Sequence, residues 1–190
     1  MESPAVARLL AGLASLRSLG VVGWDGVEMA LIEHGPDGVP QFSRADVPCV
    51  QFSHGLTLRT AAHSVTFDES MTPAYDYCLD IRDASAPRAR GPFDGIHRRR
   101  EVPELPTGTL TAARVGLVDG WPIEVHLVIA DSPVVLVAGE VYEHRGGEVT
   151  LSWGDESVLA FIEPSAIAGM PWRPARGGLQ YVDAYADNGP

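Results

Sequence analysis

The stretch from residue 110 to 162 leaves almost no chain between its apolar segments, and that restricts the fold more than any other feature. Segments 110–118, 123–129, 134–142, 149–153 and 158–162 are separated only by Asp119-Gly120, Asp131-Ser132-Pro133, Arg145-Gly146-Gly147 and Gly154-Asp155-Glu156-Ser157. Connections this short join antiparallel neighbours, whereas parallel strands need a long crossover. Five sequential strands in an antiparallel meander are therefore expected.

Three X-Gly pairs with apolar flanks add hairpin signals: Asp25-Gly26, His54-Gly55 and Asp119-Gly120. A two-residue hairpin turn needs positive φ at its centre, which Gly adopts freely and Asp or His adopt better than most. Strands are thus expected over 21–24, 27–33, 48–53, 56–61 and 75–82, the last with Tyr77, Leu79 and Ile81 alternating against Asp76, Cys78 and Asp80.

Before Val21 the apolar period is that of a helix. Leu9, Leu13 and Leu16 share one face over 4–19, with Val6 and Leu10 at its edge. Ser3 before Pro4 supplies an N-cap, and Gly20 a stop. Pro164 starts a short second helix. The expectation is an α+β protein, mostly β, built as a curved sheet or partly open barrel. Residues 1–172 form a single globular domain and 173–190 a C-terminal tail. Residues 84–108, rich in Pro and Arg, read as a long surface loop that is either solvated or folded back onto the acidic meander of its own or a partner chain.

The chain of 190 residues carries 25 acids against 14 bases, a net charge of −11. That balance excludes sequence-independent nucleic-acid binding, which neutralises phosphates. All the bases are Arg, the codon bias of a GC-rich bacterial genome. The N-terminus lacks the cationic region of a signal peptide, no segment has transmembrane length, and the two cysteines make no disulfide framework. A cytoplasmic protein with reduced thiols and no membrane partner is expected.

Catalytic, cofactor and metal motifs are missing. His34, His54, His126 and His144 have no second ligand at metal spacing. G-x-S-x-G and phosphate loops do not occur. Cys78 lies between Asp76 and Asp80, whose charges oppose a thiolate. No catalytic, cofactor-binding or metal residue is assigned.

What stands out is Trp153 beside Asp155 and Glu156, an aromatic anchor with acidic steering charge. The reading is a non-catalytic binding protein that docks a basic protein partner through these residues, of the toxin-neutralising immunity type. The alternative is an enzyme or small-ligand binder with His126, Glu124 and Tyr142 in the concave face of the sheet. A filled sheet interior favours docking, and a polar cavity favours the alternative.

Overall fold

The computed structural model describes residues 3–35, 37–74, 76–84, 95–175 and 177–186. Helix α1 (Pro4–Ser15) precedes β1 (Gly20–Met29), β2 (Cys49–Thr60), β3 (Ser64–Met71), β4 (Tyr77–Asp83) and β5 (His97–Glu101). Then come β6 (Gly108–Val118), β7 (Trp121–Ile129), β8 (Ser132–Glu143), β9 (Val149–Phe161), α2 (Pro164–Ile167) and β10 (Gln180–Asp183). The protein is mostly β, with ten strands in one antiparallel sheet.

The order β4-β3-β2-β9-β8-β7-β6-β1-β5 returns on itself because β1 also pairs with β2. The return is weakly sealed. β1 and β6 share only Gly20↔Thr109 and Val21↔Gly108, after which β1 pairs with β5 on that side. The sheet is therefore strongly curved without being a clean barrel. Where β1 has left β6, β10 takes its place, from Gln180↔Leu117 to Asp183↔Arg114. The tail expected beyond Trp172 thus contributes a strand, and Trp172 itself is buried, its indole N–H donating to Ile167 O at 2.8 Å.

Every strand of the ring sends side chains into one interior cluster, including Trp24, Phe52, Leu58, Val115, Leu127, Leu136 and Ala160. Leu9 and Leu13 of α1 and Leu16 at its C-cap join it, as their spacing requires, but the helix stops at Ser15, short of the expected stop at Gly20, which opens β1 instead. Ser3 caps α1, its hydroxyl oxygen accepting from Val6 N–H at 3.4 Å, and Arg8 pairs with Asp80 to fix the helix on β4. A second cluster covers the outer face of β8 and β9, with Val135, Val137, Leu159 and Phe161 under Ile167 and Trp172. β8 and β9 are apolar on both faces for that reason.

Of the three X-Gly pairs, only Asp119-Gly120 is a hairpin turn, with φ of 50° and 80°. Another two-residue turn falls at Ala130-Asp131, one residue earlier than the sequence suggests, with φ of 47° and 65°. His54-Gly55 also has positive φ, but it forms a bulge within the continuous β2, where Leu56 pairs with Gly26 and Ser53 with Val27. Asp25-Gly26 makes no turn. A Cβ on Gly26 would sit 2.8 Å from Phe52 Cδ1, so this glycine serves close packing.

Three further expectations are corrected. The strand expected over 27–33 ends at Met29. Segments 149–153 and 158–162 are one strand, β9, so the meander has four strands. Part of the expected loop 84–108 is β5, which runs along β1 with Glu28 opposite Arg98. Tyr75, Arg88 and Arg90 lie outside the described residues. Arg98 and Arg100 do not reach the acidic meander. Both donate to Glu28, whose carboxylate is 2% exposed, with Nε–Oε2 distances of 2.6 and 2.5 Å. Arg100 also donates to Glu104 at 2.8 Å.

Candidate functional site

The acidic face is built by an irregularity in the β8–β9 ladder. Ala138 pairs with Val158, but the next residue, Gly139, pairs with Trp153, so residues 154–157 swell out of register. Gly139 permits this, because a Cβ there would collide with the Ser152 carbonyl oxygen. Gly154, with φ of 71°, turns the chain outward beneath the start of β4.

This excursion carries Asp155 and Glu156 to two tyrosines. Tyr142 Oη donates to Asp155 Oδ2 at 2.9 Å, and Tyr77 Oη donates to Glu156 Oε2 at 3.3 Å. Asp155 Oδ1 accepts from Glu156 N–H at 2.9 Å, which fixes the turn. Burial, followed by the neighbouring negative charge, raises the pKa of both phenols, so they stay protonated donors. Glu140, on β8 beside them, is pushed up to about 7, first by burial and then by Asp155, Glu156 and Glu33. Adding negative charge here is already costly.

Trp153 is half-buried and packs on the outer core cluster, so it anchors the excursion from below. The exposed aromatic at this face is Tyr142, 41% accessible. Sequence reading placed Asp155 and Glu156 together but missed Tyr77, Glu140 and the pairing of Tyr142 with Asp155. The bulge joins positions that no linear spacing connects.

The alternative set is split. Glu124 and His126 lie on the outer face of β7, alternating with Val125 and Leu127 of the interior cluster. His126 Nε2 is 2.9 Å from Glu124 Oε2, with Glu124 fully buried. Tyr142 lies elsewhere, because Glu124 pairs with Val137 five positions back along β8. Among the described residues the concave side is filled by side chains such as Trp24, Phe52 and Leu136, each 1% exposed or less.

Both cysteines are buried, and burial pushes the Cys49 thiol up to about 12 and raises that of Cys78 as well. Among the described residues no group of three or more His, Cys, Asp or Glu side chains is arranged to hold a metal. None of the described helices is long and apolar enough to cross a membrane.

No family model, curated protein or solved structure matches this chain.

Proposed function

We propose that the protein is a non-catalytic, cytoplasmic binding protein that docks a basic protein partner through the face formed by Tyr77, Glu140, Tyr142, Asp155 and Glu156, with Trp153 beneath. One observation carries the reading: among the described residues the sheet interior is filled by apolar side chains, while acids and tyrosines converge where β8 and β9 run past that core, with Glu140 pushed up to about 7 first by burial and then by Asp155, Glu156 and Glu33. A cation entering this face relieves repulsion that the free protein holds, and tyrosines supply contact area at small entropic cost. An acidic face also speeds encounter with a basic target. A toxin-neutralising immunity protein facing a basic nuclease-like target is the form of this function that fits, and nucleic acid is not its ligand.

The test begins with the partner that copurifies from the protein's own cytoplasm, identified by native mass spectrometry. Asp155 and Glu156 are then replaced together by Ser, and association is followed by stopped flow across a salt series. The double variant is expected to associate at least about tenfold more slowly at low salt, with a flatter salt dependence. Unchanged association at low salt would make the face ordinary solvated surface.

A further inference from the structure

On the other side of the sheet, an open groove of about 590 Å³ runs over β6 and β7 to the start of α2. Its apolar lining includes Ala112, Val128, Pro133 and Pro164, and Arg114 and Asp183 line it too. The volume is that of a small-ligand site.

Arg114 and Asp183 face each other directly in the β6–β10 ladder. Opposite charges in that relation ordinarily pair across the strands. Here each is held by something else. The Arg114 guanidinium lies over the Tyr181 ring, 4.6 Å from its centroid, and Nη2 is 3.4 Å from His126 Nδ1. Asp183 Oδ1 accepts from Tyr185 N–H at 2.7 Å, the bond of a local turn. No carboxylate among the described residues lies within ion-pair distance of Arg114, although seven other arginines have such a partner.

The anchors of Arg114 are themselves fixed from below. His126 Nε2 and Tyr181 Oη both lie against Glu124 Oε2, at 2.9 and 3.3 Å, and Glu124 is fully buried. The imidazole ring and the Tyr181 ring meet edge to face at 5.2 Å. With Nε2–H donated to Glu124, Nδ1 accepts from the guanidinium, so the buried carboxylate orients the arginine through the histidine. Arg114 Nε and Nη1 are left without a protein acceptor among the described residues.

A positive and a negative group held side by side, unbridged, above an apolar lining match a zwitterion with an apolar tail. We propose that this groove binds a free α-amino acid with a large apolar side chain, its carboxylate on Arg114, its ammonium on Asp183 and its side chain against Ala112, Val128, Pro133 and Pro164. A planar guanidinium takes a carboxylate through two parallel hydrogen bonds. A fatty acid would satisfy Arg114 alone, and a peptide N-terminus Asp183 alone.

Isothermal titration of the whole protein with L-phenylalanine and L-leucine tests this. Saturable binding is expected, weakened at least about tenfold in N-acetyl-L-phenylalanine and in L-phenylalaninamide, each of which lacks one charge. Arg114→Gln and Asp183→Asn should each weaken L-phenylalanine at least about tenfold with unchanged melting temperature, and the Asp155, Glu156 double variant should bind it as the parent does. Absence of saturable heat up to about 10 mM of either amino acid overturns the proposal. Equal binding of either capped derivative also overturns it. Because these ligands are tried on the parent protein, the test stands even if a variant fails to fold.

Discussion

Replacing Glu28 by Met should cost the protein about 3 kcal/mol. The carboxylate is 2% exposed and receives Arg98 Nε at 2.6 Å, Arg100 Nε at 2.5 Å and Arg100 Nη2 at 3.3 Å. Removing one member of a buried ion pair costs roughly 3–5 kcal/mol, because the remaining charge is stranded. Arg98 is half exposed and rehydrates, so its share is small, about 1 kcal/mol. Arg100 is 20% exposed and keeps only its Nη1 bonds to Glu104 and the Glu101 carbonyl among the described residues, which makes its share larger, about 2 kcal/mol. With a urea slope of about 2 kcal/mol/M, the midpoint should fall by about 1.5 M at unchanged slope. Thermal unfolding should drop by roughly 6–12 °C. Arg98→Met alone should move the midpoint by less than about 0.5 M. If Glu28→Met moves it no further than that, the cluster is screened surface charge and β5 is held to β1 by its ladder alone.

Glu140 supplies a pH test. Its pKa is raised from 4.5 to about 7, so the folded state keeps a proton that the unfolded chain releases, and stability should fall as pH rises through that window. Glu140→Gln should remove the fall, gaining roughly 1–2 kcal/mol at pH 8 relative to pH 5 in urea titrations, once solvent screening of its exposed part is allowed for. Ala130 holds φ of 47° with a Cβ, so Ala130→Gly should raise the melting temperature, by about 1 kcal/mol of stability. Gly139→Ala should destabilise by roughly 1–3 kcal/mol in the same assay, since its methyl meets the Ser152 carbonyl. Neither thiol should react with an aromatic disulfide reagent in the native protein, and labelling should proceed at the rate of unfolding.

Period carried most of what was legible in the sequence. Leu9 and Leu13 fall on the buried face of α1 with Leu16 continuing it at the C-cap, and the alternation of β6, β7 and β8 places Val115, Val125 and Leu136 inside. Turn chemistry was ambiguous, because positive φ serves a bulge as well as a hairpin. His54-Gly55 meets the local requirement of both, and only the partner strand, with Ser53 and Leu56 on either side, decides. Residues 97–101 have no apolar alternation, since β5 is an edge strand whose Arg98 and Arg100 turn to Glu28. At the acidic face, Asp155 and Glu156 were visible as an oddity. Their tyrosine partners were not, because a four-residue excursion in β9 sets Tyr142 and Tyr77 against them. Trp153 shows the limit of composition: a tryptophan next to acids can be a foundation rather than a handle.

The joint between β2 and β9 bears on how the chain reaches this state. Cys49 through Phe52 lie opposite Phe161 back to Val158, so the two halves of the sheet meet across more than a hundred residues of sequence. During synthesis β1 through β4 emerge with residues 49–52 of β2 uncovered on the edge whose other half β3 occupies, Val50 and Phe52 among them, until β9 has left the ribosome. Pairings so distant in sequence form slowly, and an uncovered apolar edge is where nascent chains associate. Yield in a cell should therefore depend on how fast residues 149–161 are delivered, more than on the stability of the finished sheet.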